Sequence, residues 1–136
     1  MAITPTIGVV ILINNYFHDI STAMLASSGA ALWFIINKYE HHENPHTKEY
    51  FLEIYDSMSR VAKYSLLWLL IGGVPRTLAY RDFEWSNAVD HKQIPALIVK
   101  HILEFTLVAS GVYLWIKVNG RVNNIKARPE PDKANL

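Results

Sequence analysis

The sequence has no cysteine and few charged residues, and both shortages narrow the chemistry that it can support. Without cysteine there is no disulfide, thiolate metal site, iron–sulfur ligation, covalent c-type haem attachment or cysteine nucleophile. Charged residues make up 18% of the chain, against roughly 25% in an ordinary soluble domain. The net charge is +1 and no Lys/Arg cluster carries interleaved aromatic residues, which argues against a nucleic-acid partner. Six histidines are the strong ligands left for a soft metal or for haem iron.

Recognisable enzyme motifs are also missing. The chain has no H-E-x-x-H, no glycine-rich phosphate loop, no dinucleotide fingerprint and no Ser/His/Asp arrangement on a known scaffold. Its 136 residues suffice for one domain. We therefore do not expect this chain to be an enzyme by itself, and its oxidoreductase role, if it has one, is that of an electron-transfer subunit.

Long uncharged runs are present instead. Residues 20–36 carry no charge, residues 64–74 form a second run, and residues 102–116 are interrupted only by Glu104. A bilayer core of about 30 Å needs about 20 helical residues, so we favour an integral membrane bundle over the alternative, a soluble helical bundle. The prediction is an all-α fold with three long transmembrane helices over residues 6–38, 49–74 and 94–119. They form a transmembrane domain over residues 1–120, and a polar cytoplasmic tail follows over residues 121–136.

Basic residues set the predicted orientation, because Lys and Arg accumulate on the cytoplasmic side. None precedes the first helix. Five follow residue 116: Lys117, Arg121, Lys126, Arg128 and Lys133. The N-terminus is therefore predicted outside and the C-terminus inside, in a bacterial or archaeal cytoplasmic membrane.

Two histidines lie inside the predicted spans, where an ionisable residue is a candidate for function. His18 precedes Lys38 by about 30 Å of helix, and His101 precedes Lys117 by about 24 Å. Because the first and third helices run in the same direction, both rings are predicted to lie in the outer half of the membrane. The plain alternative for each ring is a hydrogen-bonded core histidine.

The second helix presents small and basic residues at the same depth. Gly72 and Gly73 leave room where a flat macrocycle would need it. Arg76 and Arg81 follow on the outer side, and guanidinium groups pair well with carboxylates such as haem propionates. Helix packing or capping for the glycines, and lipid headgroup anchoring for the arginines, are the alternatives.

Together these residues predict one b-type haem with His18 and His101 as its two axial iron ligands. Bis-His ligation favours electron transfer over oxygen chemistry. Asp19 and Glu104 are candidates to accept the second ring N–H of a ligand, and Glu104 is also placed to pair with a lysine four residues earlier. His91 replaces one ligand if the third helix is shifted.

A histidine-rich segment, HHENPH, lies in the first connection. Its residues His41, His42 and His46 are predicted to form a solvated loop. A metal site is the alternative, because imidazole suits zinc, copper or nickel.

Three stretches carry a resemblance to a family: HDISTAMLASSGAALW, RVAKYSLLWLLIGG and IPALIVKHILEFTLVASGVYLWIK. They resemble small membrane proteins related to the copper-resistance D family and other membrane b-type cytochromes. In those proteins an early-helix His recurs, with a later K-H helix followed by G-x-Y-L-W. The resemblance implies a haem-bearing or redox-linked membrane protein and maps onto His18 and His101. With three Met and no Met-rich motif, the chain departs from the copper-transport pattern.

The leading functional hypothesis is a haem b-binding subunit that transfers electrons within a larger membrane redox complex, with quinone as a further ligand. Its partners would be the lipid bilayer and the other subunits of that complex. Two alternatives stay open. One is a cofactor-free accessory subunit, and the other is a small proton- or ion-conducting protein that uses Asp19, Lys100 and Glu104.

Overall fold

The computed structural model describes residues 4–41 and 45–128, and within those ranges the chain is helical apart from short turns. Helix α1 is Pro5–His41 and α2 is Pro45–Ala79. A π-helical turn, Arg81–Trp85, leads into the short helix α3, Ser86–Asp90, and α4 is Ile94–Ala127. The described residues contain no strand, so the all-α prediction is confirmed for them.

The three long helices extend beyond their predicted ends. Helix α4 begins at residue 94 as predicted but continues past residue 119 to Ala127. Residues 121–127, assigned to the polar tail, are thus its last turns, and residues 129–136 lie outside the described part. Val118, Val122 and Ile125 are buried there, at the spacing of one helix face. The basic residues after residue 116 therefore do not mark the end of α4.

Helix α2 is longer than predicted at both ends. It begins at Pro45 instead of residue 49, and it passes through Pro75 to end at Ala79 instead of residue 74. Proline inside a helix removes one backbone hydrogen bond. The carbonyl that loses its donor is that of Ile71, four residues before Pro75. In the same stretch the Thr77 hydroxyl donates to the carbonyl oxygen of Gly73 over 2.8 Å.

The connection between α2 and α4 consists of short helical elements and a turn. Helix α3 begins at Ser86, and Pro95 lies in the first turn of α4. Between them Lys92 has a φ of 56°, a left-handed conformation that reverses the chain. The Gln93 amide donates to the Ala88 carbonyl over 2.7 Å, which closes this turn.

Two helices of the described part, α1 and α4, are long and apolar enough to cross a membrane. Helix α2 does not meet that criterion, although the sequence analysis predicted three spans. The reason is its charge up to residue 63, which comprises six residues: Lys48, Glu49, Glu53, Asp56, Arg60 and Lys63. The best apolar window of α4 is only 6% buried, whereas the central helix of a soluble bundle would be mostly covered.

Helix α1 lies at the centre and packs against both α2 and α4, while α2 and α4 have few close backbone contacts with each other. The main core is at the end of the bundle where α1 and α4 finish. Tyr39 and Phe51 stack there with ring centroids 4.5 Å apart. The Tyr55 hydroxyl donates to Asn119 Oδ1 over 2.6 Å, which links α2 to α4.

Helices α1 and α4 approach each other closely at two glycines. A Cβ atom on Gly29 would lie 2.9 Å from the carbonyl oxygen of Gly111, and one on Gly111 would lie 3.1 Å from the backbone of Ala26. Small residues allow helix backbones to approach in this way. The small-residue content of the first apolar run is therefore used for packing between α1 and α4.

Candidate functional site

Arg76 of α2 is the centre of a buried ion cluster. Its side chain is 8% exposed. Its Nη1 donates to Asp19 Oδ1 over 3.1 Å and its Nε to Glu84 Oε1 over 2.9 Å. Its Nη2 donates to Glu104 Oε1 over 3.3 Å. The three carboxylates come from α1, the π-helical turn and α4, so one guanidinium joins α2 to every element around it.

Lys100 is the second cation of the cluster. Its Nζ lies 3.5 Å from Asp19 Oδ2 and 3.6 Å from Glu104 Oε1, so the predicted i,i+4 pair with Glu104 is formed. Asp19 and Glu104 therefore share the same two cations, Arg76 and Lys100. Three carboxylates therefore meet two cations, which leaves one negative charge in excess while the nearby histidines are neutral.

The contact with Arg76 determines which ring nitrogen of His18 carries the proton. The His18 Nδ1 atom lies 3.0 Å from Arg76 Nη1. A guanidinium has only donors, so Nδ1 accepts and the N–H is on Nε2. A Cβ atom on Gly73 would lie 3.9 Å from that Nε2, and the missing side chain at Gly73 leaves the N–H side of the ring open.

His101 has the opposite tautomer. Its Nδ1 lies 2.7 Å from the Leu97 carbonyl oxygen, and a carbonyl only accepts, so Nδ1 carries the proton. The Nε2 of His101 faces Glu84 Oε2 at 3.8 Å, and the ring meets Tyr80 edge to face with centroids 5.5 Å apart. In the neutral ring, Nε2 therefore presents a lone pair.

One face of the cluster borders an apolar cavity of about 480 Å³ between α2 and α4. One end of its lining is polar and consists of His18, Arg76, Thr77, Tyr80, His101 and Glu104. The other end is apolar and consists of Leu66, Leu69, Leu70, Phe105 and Val108. Gly73 lies between the two ends. The cavity thus unites four of the six residues that were predicted as the site: both histidines, one glycine and one arginine.

The cluster also borders a second cavity, of about 460 Å³, whose lining mixes polar and apolar side chains. Asp19, Glu84 and Lys100 line it, together with Asn15. Asn15 Nδ2 donates to Glu84 Oε1 over 3.1 Å, while its Oδ1 is buried without a hydrogen-bond partner among the described residues. Residues of the ion cluster therefore line two cavities, one apolar and one of mixed lining.

Two predicted site residues lie elsewhere. The carbonyl oxygen of Gly72 accepts a hydrogen bond from Asn14 Nδ2 over 2.9 Å, so this glycine faces α1. Arg81 is exposed and lines a separate surface cavity with Asp82 and Trp85. Neither residue borders the cavity that holds His18 and His101, because successive helical residues point about 100° apart and Arg81 lies beyond the end of α2.

Sequence reasoning missed Glu84 and Asn15. Glu84 lies between two aromatic residues, Phe83 and Trp85, and outside the long uncharged runs. A signal was present in Arg76, because a charge inside an apolar bundle requires opposite charges close by. That requirement points to the acids of the neighbouring elements, but it does not say which of them are within reach.

No group of three or more His, Asp or Glu side chains within the described ranges is arranged to hold a metal ion. Of the HHENPH segment, His41 is the last residue of α1, and its Nδ1 lies 2.7 Å from the Asn37 carbonyl oxygen. His42 and the side chain of His46 lie outside the described part. His91, the substitute ligand, is exposed at the end of α3 with its Nδ1 2.9 Å from the Asn87 carbonyl oxygen.

No family model, curated protein or solved structure matches this chain. The resemblance to membrane b-type cytochromes therefore stays a prediction, and the functional argument that follows is based on the geometry of the ion cluster and its two cavities.

Proposed function

We propose that the chain is a subunit of a membrane redox complex and that the apolar cavity between α2 and α4 binds the head group of a quinone. The observation that carries this proposal is the division of the cavity into a polar end at two imidazoles and an apolar end formed by aliphatic and aromatic side chains. An amphiphile with a polar head and an apolar tail has the same division. Ligand sites of this kind are mostly apolar with a few placed polar groups.

The polar end offers both hydrogen-bonding roles that a quinone needs. The Nε2–H of His18 is a donor for a quinone carbonyl oxygen, and the Nε2 lone pair of His101 is an acceptor for a quinol hydroxyl. The two roles follow from the partners of each ring, Arg76 for one and a backbone carbonyl for the other. Electrons would come from another subunit of the complex.

The surface of the bundle supports a lipid environment. Large apolar side chains are exposed along all three long helices, far more than the scattered residues that a soluble monomer shows. Examples are Val10 on α1, Leu70 on α2 and Phe105 on α4. Lipid and neighbouring subunits would cover these faces, and a tail leaving the cavity between α2 and α4 would enter the same surroundings.

A b-type haem is the second candidate, and the tautomer of His101 favours it. Iron ligation needs a free Nε2 lone pair and a second nitrogen that donates to a carbonyl or carboxylate. His101 fits this requirement. His18 does not fit it in the present arrangement, because its Nδ1 accepts from a cation and its Nε2 carries the proton. Arg76, which already binds three carboxylates, would have to release His18 before a bis-His haem could form.

A binding experiment on the purified chain in lipid nanodiscs separates these functions. We expect a short-tail quinone analogue to bind saturably, and Gly73→Leu to weaken binding at least about tenfold, equivalent to about 1.4 kcal/mol, by filling the space beside His18. Gly120→Leu is the matched control, because a Cβ atom at that position meets nothing within 4 Å. Its affinity should equal that of the wild type.

Three results would count against quinone as the ligand. One is the absence of saturable binding, and another is equal loss in both glycine variants. The third is a b-type spectrum in the presence of dithionite that His101→Ala abolishes, which would establish the haem candidate. A chain that binds neither quinone nor haem would instead be an accessory subunit.

Topology gives a separate prediction. Trp33 is covered by two cations, Lys117 Nζ at 4.8 Å and the Arg121 guanidinium at 5.1 Å from its centroid, as expected where helices leave the membrane. His18 lies about 22 Å above Trp33 along α1. We expect a reporter that is active only in the cytoplasm to work when fused after residue 128, and one active only outside to work after residue 92. The reverse pattern would contradict the proposed orientation.

A further inference from the structure

We propose that the groove between α2 and α4 binds the phosphate group of an anionic lipid at its inner end, the end of the bundle at which α1 and α4 finish. This lipid site rests on the membrane placement proposed above, but not on which molecule occupies the apolar cavity. Three observations carry it: a polar cavity at that end, two buried polar atoms without partners, and two cations without ion pairs.

The polar cavity has a volume of about 720 Å³ and lies between α2 and α4. Its lining consists of α2 residues between 53 and 63 and α4 residues between 115 and 126, and every lining side chain has a nitrogen or oxygen atom. Trp115, one of them, is two residues before Lys117, whose Nζ lies 4.8 Å from the centroid of the Trp33 ring. Because basic and aromatic residues gather where helices leave the membrane, the cavity lies at the depth of the inner lipid headgroups.

Two buried polar atoms from facing helices lack hydrogen-bond partners among the described residues: Ser59 Oγ and Trp115 Nε1. Ser59 is 5% exposed, and both side chains line the polar cavity. An indole N–H only donates, and a hydroxyl can donate as well. A buried polar atom without a partner costs free energy, so an oxygen that accepts hydrogen bonds inside the cavity would satisfy both atoms.

The charge of the lining favours an anion. Three cations and two carboxylates line the cavity, so its net charge is +1. Asp56 Oδ1 lies 3.5 Å from Lys126 Nζ, whereas Arg60 and Lys63 have no ion-pair partner in the described ranges. The second carboxylate, that of Glu53, precedes Arg60 by about 10 Å of helix. A phosphodiester carries one negative charge, and its unesterified oxygens accept charge-assisted hydrogen bonds from such cations.

Apolar side chains continue both faces of the groove towards the membrane centre. On α2, Leu67 and Leu70 follow Lys63 by four and seven residues and are exposed. On α4, Val108 precedes Trp115 by seven residues and is half-buried. These spacings keep the side chains on the helix faces that line the polar cavity. An acyl chain attached to the phosphate would lie along them, and basic pockets between helices on the cytoplasmic side are typical sites for anionic lipid headgroups.

Native mass spectrometry of the full chain, purified in a neutral detergent, tests the site with phosphatidylglycerol as the probe. This lipid is expected to bind at least about tenfold more tightly than zwitterionic phosphatidylcholine, and Lys63→Gln should weaken its binding at least about fivefold. Lys117→Gln is the matched control, because Lys117 lies at the same depth but beside Trp33. Its affinity should equal that of the wild type.

Two variants test the buried polar atoms of the cavity. Trp115→Phe removes the indole N–H and keeps an aromatic ring, and Ser59→Ala removes the hydroxyl. Each should weaken phosphatidylglycerol binding at least about fivefold, since hydrogen bonds to a charged group are the stronger ones. Neither should change the binding of phosphatidylcholine.

Three results would overturn the lipid site: equal affinities for the two lipids, equal losses in Lys63→Gln and Lys117→Gln, or wild-type affinity in both Trp115→Phe and Ser59→Ala. Displacement of the lipid by inorganic phosphate would do so as well, because a free anion would then be the ligand. A chain that stays folded and monomeric in buffer without detergent would contradict the membrane placement itself, and the lipid site with it.

Discussion

Replacement of Arg76 by alanine is expected to destabilise the bundle by about 3–5 kcal/mol, because it removes the guanidinium from two largely buried carboxylates, Glu84 and Glu104. Glu104 would then keep Lys100 as its cation, and Glu84 would keep the amide of Asn15. The loss should be visible as a lower midpoint in denaturant unfolding of the detergent-solubilised chain, followed by the helical signal in circular dichroism. Arg81→Ala is the control and should change the midpoint little, since Arg81 is exposed.

Further variants at Arg76 distinguish the stability lost with its charge from the stability lost with its packing. Arg76→Gln combined with Glu84→Gln removes one charge of each sign and should recover part of the stability that Arg76→Gln loses alone. Arg76→Lys should lie between the wild type and alanine, because an ammonium is a point charge and cannot reach three carboxylates in the way that a planar guanidinium does. Equal stability of Arg76→Ala and Arg81→Ala would contradict the central role of Arg76.

The same substitution is expected to have opposite effects at two glycines of the bundle. Gly29→Ala should cost about 1–3 kcal/mol of stability, as overpacking of a close contact does, because its Cβ would lie 2.9 Å from the Gly111 carbonyl oxygen. Gly120→Ala should stabilise α4 by about 0.5–1 kcal/mol, since alanine loses less backbone entropy in a helix. The measurement is the unfolding midpoint of each variant in the same detergent.

An unchanged unfolding midpoint in Gly29→Ala would contradict the crossing of α1 and α4 described above. If Gly29→Ala is as stable as the wild type, α1 and α4 do not cross at these glycines. Gly111→Ala, whose Cβ would lie 3.1 Å from the backbone of Ala26, then serves as an independent check on the same crossing. It should show a loss that is similar in sign and not additive with the first, because both changes separate one pair of helices.

The long helices and the two histidines could be predicted from the sequence, because both are indicated by residues that are neighbours along the chain. Uncharged runs predict helices long enough to cross a membrane, and a histidine inside such a run is conspicuous. The ends of α2 and α4 were set by tertiary packing, which holds Val122 and Ile125 against α1 and α2 although the surrounding residues are polar. Local composition does not contain that contact.

The candidate site was predictable only in part, for a geometric reason. That Arg76 would lie near the histidines followed from its depth on the second helix. Arg76 also binds Asp19, Glu84 and Glu104 together. This arrangement depends on the π-helical turn, which directs Glu84 back towards the bundle. No residue spacing in the sequence predicts that turn. The haem hypothesis assumed that the space between the histidines was free, whereas Arg76 donates directly to His18.

The central position of α1 has a consequence for the order of assembly. Helices α2 and α4 have few close backbone contacts with each other, so most of their helix packing is against α1. Because α1 precedes both along the chain, it is the first of the three to be synthesised. Each later helix therefore meets a docking surface that is already in place, and a circular permutant that moves α1 behind α4 would expose two unpaired apolar helices during its synthesis.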